Sequence, residues 1–215
     1  HMVEPIIMPD QEEVDKFLPP YVPFAALHPD NCVSMGTLGM PEYYTEAQKS
    51  KDVALVNSIK VVKEVCKDWE KLFGRKYEPV MSYRTEDAEV AFVTMGSMGE
   101  TAEIAVDELR KQGVKAGLLK IKLWRPFPFE DFKKAAKGIK VLAVTDRAIS
   151  FGGPGGPVFS EIRSALYDEP KRPKIVNYII GLGGRDVHVE NFMDMAQRAA
   201  KGKLSERYEI YGVRG

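Results

Sequence analysis

A three-layer α/β/α sandwich around a mostly parallel sheet, preceded by a proline-rich arm and a long helix, is the fold this 215-residue chain predicts. Three observations carry it. Four short apolar runs, beginning at Val90, Ala116, Lys140 and Lys174, are too short for free helices and suit strands covered on both faces. A helical pattern follows each run, with apolar residues three and four apart and glycine or proline at its end. Between the first two runs, 88–128 reads strand, helix, strand, a βαβ unit whose crossover makes its strands parallel. The sandwich is expected over 53–203, with an early strand near Val80 or the tail running opposite as an edge.

The first 44 residues hold seven of the fourteen prolines, which forbids a long helix and favours an extended arm. Phe17, Leu18, Tyr21, Phe24, Leu27, Met35, Leu38 and Met40 are too many apolar groups for a solvated linker, so the arm is expected to pack on its own domain or a neighbour. His1-Met2 reads as a cloning scar, and the chain is expected to begin partway through a natural subunit. Thr45 and Gln48 form a capping box. From there Leu55, Ile59, Val62, Cys66, Trp69 and Phe73 make the stripe of one long helix, ended by Gly74 and roughly 40 Å long. It bridges the arm, 1–44, and the α/β domain, taken as 45–215 with this helix included. Trp69 reads as packing, and 79–83 as an edge strand, since proline at its start suits an edge.

Within the first βαβ unit, 90–95 is a strand, Gly96 the turn, and Ser97 with Glu100 a second capping box. Ala102, Ala105, Val106 and Leu109 line the helix, Gly113 gives its left-handed exit, and 116–123 is the next strand. A short helix over 129–137 closes at Gly138, and 140–145 is the third parallel strand. Pro157 suits a first helical residue; Val158, Phe159, Ile162 and Leu166 follow until Glu169-Pro170. The fourth strand is 175–180. A last helix turns Phe192, Met195, Ala196 and Ala199 inward and ends at Gly202. Tyr208, Ile210 and Tyr211 alternate as in a strand and would extend a sheet edge or a partner's.

Charge excludes some functions. With 31 basic and 31 acidic residues, the chain has no electrostatic footprint for nucleic acid or an anionic membrane. No apolar run approaches the roughly 20 residues of a membrane span. Cys32 and Cys66 lie far apart, so neither an iron-sulfur cluster nor a zinc site is held by this chain alone, and a cytoplasmic location is expected. His28 and His188 stand in unrelated contexts, and no serine sits in a nucleophile elbow. There is no GDG followed some 30 residues later by asparagine, the pattern that holds Mg²⁺ and thiamine diphosphate.

Three turns at strand carboxyl ends are candidate sites, because ligands of open α/β sheets bind there. GSMGET, with Ser97 and Gly99, presents helix-start amides to an anion, although a mere connection is the favoured reading of such a turn. Asp146 and Arg147 precede Gly152, Gly153, Gly155 and Gly156, which permit a phosphate's approach or close packing, and packing is the favoured reading. The third, 181–186, offers Arg185, which can pair with Asp146 or Asp186. Arg125 precedes Pro126, is held out of helical geometry, and is expected to pair with Asp146 across the carboxyl edge. These seven residues are candidates for anion binding or subunit contact; no catalytic, cofactor-binding or metal residue is assigned.

SMGTLGMPEYYTEA from Ser34, DAEVAFVTMGS from Asp87, LWRPFP from Leu123, DRAISFGGPGGPVFSE from Asp146 and GLGGRDV from Gly181, in that order, resemble the α subunit of pyruvate:ferredoxin oxidoreductase (pyruvate synthase). The resemblance covers nearly the whole chain from Glu4 and implies that subunit's second domain, similar to the C-terminal domain of transketolase. It implies a part in joining pyruvate, coenzyme A and oxidised ferredoxin to give acetyl-CoA, CO₂ and reduced ferredoxin. It also implies that thiamine diphosphate, Mg²⁺ and iron-sulfur clusters sit on other domains or subunits, with ferredoxin and coenzyme A met only indirectly. The expected role is a non-catalytic scaffold and subunit interface, inactive alone. Two alternatives stand beside it: the same domain of another 2-oxoacid:ferredoxin oxidoreductase, and a free-standing anion- or nucleotide-binding domain.

Overall fold

The structure, a computed structural model, describes residues 6–36, 38–202 and 208–214. His1-Met2, Pro5, Thr37 of the first family-like motif, Lys203 at the expected end of the sandwich, and Arg207 lie outside the described residues. Residues up to Tyr77 and residues from Glu78 form two compact units.

In the first unit the prolines flank a helix instead of excluding one. Between Pro9 and Pro19 runs α1 (Gln11–Phe17), where Asp10 Oδ1 accepts from the Glu13 amide at 2.8 Å and Glu13 Oε2 accepts from the Asp10 amide at 3.0 Å. That reciprocal pair is a capping box, placed where the sequence suggested an extended arm. Helix α2 (Pro41–Phe73) begins one turn before Thr45. Pro41 takes the first helical position, where its fixed φ is preorganised and its missing N–H costs nothing. Thr45 and Gln48 therefore lie inside the helix and form no capping box. Gly74 ends it in the left-handed region, φ 65°. Phe17 sets its ring edge-on to Trp69 and Phe73, with centroids 5.3 and 5.8 Å away, so Trp69 is packing, as expected.

The second unit is the sandwich. Strands β1 (Val80–Tyr83), β2 (Val90–Met95), β3 (Ala116–Ile121), β4 (Val141–Asp146), β5 (Lys174–Ile179) and β6 (Glu209–Ile210) form one sheet in the order β1-β3-β2-β4-β5-β6. The four central strands are parallel; β1 runs antiparallel to β3 at one edge, as its proline-led sequence suggested, and β6 runs parallel to β5 at the other. Helices α3 (Met98–Lys111) and α6 (Val189–Ala200) cover one face, closing a core of Phe92, Leu118, Tyr178, Leu109 and Phe192. On the opposite face α4 (Phe129–Ala136) and α5 (Pro157–Ala165) bury Leu119, Leu142, Phe132, Phe159 and Ile162. The predominantly apolar sequences of the central strands follow from this double cover. α5 stops at Ala165, before the Glu169-Pro170 stop that the sequence suggested.

Phe92 and Phe192 meet edge-on at 5.2 Å, both fully buried. Phe192→Ala is expected to lower the unfolding free energy by about 3–5 kcal/mol in urea titration. Ile104→Ala, on the exposed side of α3, should stay within about 0.5 kcal/mol. Equal losses from both would contradict the packing described.

Candidate functional site

The chain leaves β2 through α3 on one face and β4 through α5 on the other, although the two strands are neighbours. Divergence of this kind opens a crevice at the strands' carboxyl ends, the usual ligand position in such sheets. A cavity of about 260 Å³ lies there, walled by Met95, Met98, Val158 and Ile180, with Asp146 and Arg147 at its margin.

Asp146 ends β4 and is buried. Its Oδ1 accepts from the Val158 amide at 2.8 Å, while Oδ2 accepts from the Phe159 amide at 3.2 Å and from Asn177 Nδ2 at 2.9 Å. The carboxylate thus caps the first turn of α5 from a distance in sequence, placing negative charge at the positive end of the helix. Burial pushes its carboxyl above the usual range, against the pull of those three donors. Asn177 completes the cradle, its Oδ1 accepting from the Gly156 amide at 2.9 Å and its Nδ2 donating to Val144 O at 3.1 Å. A Cβ on Gly156 would lie 2.1 Å from Asp146 Cγ, and one on Gly155 2.6 Å from Asn177 Oδ1. These two glycines serve the close packing that the sequence favoured, and the first amides of α5 are answered by the chain's own carboxylate.

The GSMGET turn has a similar explanation. Ser97 precedes α3 in αR geometry and its side chain makes no cap bond, so the expected Ser97/Glu100 capping box is absent. Glu100 turns to Lys120 instead, at 3.4 Å, alongside Glu103 at 2.5 Å. Burial lowers the Lys120 ammonium's affinity for its proton, and the two glutamates more than offset this, holding it above its ordinary value. Gly99 makes room for the lysine stem, since a Cβ there would meet Lys120 Cδ at 2.6 Å. The adjacent Thr94 Oγ1 is buried without a hydrogen-bond partner.

Arg125 does not reach Asp146. It pairs with Glu161 at 3.0 Å, donates to Trp124 O at 2.9 Å and lies over the Trp124 ring at 4.5 Å; Asp146 is already saturated by α5 and Asn177. Arg185 pairs with neither Asp146 nor Asp186, because its Nη1 donates to Gly212 O. Arg147 is exposed and reaches Gly181 O at 3.5 Å. Asp186 is exposed and forms no ion pair among the described residues. The edge thus brings Asp146, Arg147 and, through the Gly181 turn, Arg185 together, and leaves Arg125 with α5. Asn177 and Lys120 were missed, although each is the conspicuous polar residue in an apolar strand, IVNYII and GLLKI.

Comparison with known proteins bears on the same segment. Residues 88–192 match the family model of pyruvate:ferredoxin oxidoreductase core domain II. Over its whole length the chain is 42% identical to pyruvate synthase subunit PorA of Pyrococcus abyssi and 39% identical to ketoisovalerate oxidoreductase subunit VorA of the same organism, covering 55% of each. It therefore spans about half the length of these curated relatives. A solved split-gene transketolase is similar at 18% identity and a TM-score of 0.46, over 59% of this chain and 43% of that one; the architecture above stands on its own hydrogen-bond ladder.

Two outcomes test the edge. Asp146→Ala strands three buried donors and should cost about 3 kcal/mol or more in urea denaturation, whereas Arg125→Ala, half-exposed, should cost about 0–1 kcal/mol. The second is pH-dependent. A carboxyl whose folded pKa is raised contributes stability that is full below its ordinary 3.8 and is lost as pH rises through the raised value. The stability of the parent relative to Asp146→Asn should therefore fall as pH rises above 3.8; a rise would mean the three donors outweigh burial.

Proposed function

We propose, from the match of residues 88–192 to the pyruvate:ferredoxin oxidoreductase core domain II model, that this chain is a scaffold and subunit-interface part of a 2-oxoacid:ferredoxin oxidoreductase. The reaction it would serve converts pyruvate, coenzyme A and oxidised ferredoxin to acetyl-CoA, CO₂ and reduced ferredoxin. Its partners would be the other domains and subunits of the complex, in the cytoplasm. Two free cysteines suit a reducing compartment. Among the described residues no helix is long and apolar enough to cross a membrane.

One observation carries the interface reading. Helix α2 buries none of its 33 residues, while Tyr21, Phe24 and Leu38 are each at least 80% exposed. Apolar surface costs about 25 cal/mol per Å² when left in water, and so many large apolar groups exposed in one unit suit an interaction surface.

The residues present do not fit the family's cofactors. A cubane cluster takes four thiolates and the chain has two cysteines; among the described residues no three carboxylate, histidine or cysteine side chains converge on a metal position. The Asp146 carboxylate stands where a diphosphate would meet the amides of α5. The reading proposed here puts thiamine diphosphate, Mg²⁺ and clusters on other parts of the complex. The likeness to a ketoisovalerate oxidoreductase subunit supports a second reading, in which the same scaffold serves a branched 2-oxoacid.

Coexpression of this chain with the rest of its subunit and the other subunits tests the assignment. The chain alone should not reduce a viologen dye with pyruvate or 3-methyl-2-oxobutanoate, and the assembled complex should, the faster substrate deciding between the two readings. Tyr21→Ser, Phe24→Ser and Leu38→Ser together should cut assembly and activity about tenfold or more, by the loss of buried apolar area, without moving the unfolding transition of the sheet unit. Dye reduction by the chain alone, or undiminished assembly of the triple variant, would overturn the proposal.

A further inference from the structure

The arginines of the second unit sort into two groups. Arg84, Arg110, Arg125 and Arg198 pair with Asp107, Asp87, Glu161 and Glu209 at 2.7–3.0 Å, and Arg163 and Arg172 lie over the rings of Phe159 and Tyr167. Among the described residues, Arg147, Arg185 and Arg214 have neither a carboxylate nor a ring. All three are at the carboxyl edge of β4, β5 and β6. Arg185 and Arg214 line one cavity of about 340 Å³, whose other walls are Ile179, Leu182, Ile210 and Val213 with the ring of Tyr211, and among the described residues no carboxylate lines it. Asp194 accepts from Tyr211 Oη at 3.0 Å and lies 3.6 Å from Arg198, and Asp186 is exposed.

In a chain of zero net charge, two uncompensated guanidiniums in one apolar-walled cavity select for an anion. Guanidinium forks hold carboxylates and phosphates through paired N–H donors, and the apolar walls offer contact area to a hydrocarbon body attached to such a group. The volume is at the small end of ligand pockets, about 300–1,000 Å³. The backbone keeps the turn beneath it narrow: a Cβ on Gly181 would lie 2.9 Å from Met98 Cε and 3.3 Å from Arg147 Nε, so the glycine lets the walls of this cavity and of the switch-point cavity meet.

We propose that this cavity is a binding site for a small organic oxyanion, a carboxylate or phosphate monoester carrying an apolar body. Arg185 and Arg214 hold the anionic group, and Leu182, Ile210 and Val213 take the body. The site is independent of the scaffold reading, since it draws only on residues of the sheet unit.

Amide NMR titration of the chain with 4-phenylbutyrate, phenyl phosphate, acetate and inorganic phosphate tests it. The phenyl-bearing anions should shift amides in 181–185 and 210–214 and bind about tenfold more tightly than acetate or phosphate, the tighter of the two identifying the headgroup. Arg185→Gln with Arg214→Gln should weaken that binding about tenfold, and Leu182→Asp should do likewise through the apolar wall; all three side chains are exposed, and unshifted core amides report an intact fold. Equal binding by acetate or phosphate, meaning surface charge alone, unchanged binding by both variants, or no shift with any anion would overturn the proposal.

Discussion

The carboxylate of Asp146 under the first turn of α5 is the constraint on which the carboxyl edge of the sheet depends. A buried carboxylate is tolerable only when donors answer it, and here the Val158 and Phe159 amides and Asn177 do so together. Each donor imposes a condition on the chain. α5 must begin directly over β4, so the connecting loop doubles back through Gly155 and Gly156, where a side chain would collide with Asn177 or Asp146. β5 must carry an asparagine in its buried stretch, opposite Val144. One acidic residue thus accounts for a glycine pair, a polar strand residue and the start of a helix.

Strand β3, on the far side of β2 from β4, uses the same device with the sign reversed. Lys120 lies within the buried run of β3 and draws Glu100 and Glu103 of α3 down onto the sheet, and Gly99 is the gap through which its stem passes. Two charged groups are therefore spent on fixing helices to strands. The arginines around Gly181 and the tail are not so engaged and lie exposed.

Much of this was legible in the sequence. Four apolar runs separated by helical stripes specified the parallel core, the inward residues of α3 and α6 emerged from their three-and-four spacing, and Gly74, Gly113 and Gly202 marked the helix ends. Capping was read less well, because serine or threonine followed three residues on by glutamate or glutamine is a local pattern, whereas Glu100 answered a lysine twenty residues away and Pro41 had already started α2. The Arg125 to Asp146 pair failed for a related reason. Topology put both near one edge, but nothing in the local sequence reveals that α5 delivers two amides to Asp146 or that Glu161 lies within reach of Arg125.

The two units differ in where their stability originates. The sheet unit buries two apolar faces of its own and needs nothing further to offset chain entropy. The first unit has an aromatic contact at Phe17 and short-range pairs such as Lys71 with Asp68 at 2.9 Å, each worth only a few tenths of a kcal/mol to about 1 kcal/mol. Most helical stability in proteins comes from packing an apolar face, yet α2 has no buried residue. Helix propensity and capping alone leave such a segment marginal in water. On the interface reading proposed above, its apolar side chains are the unspent part of the chain's folding free energy, to be realised when another protein surface covers them, and assembly and the ordering of this unit then become one thermodynamic event.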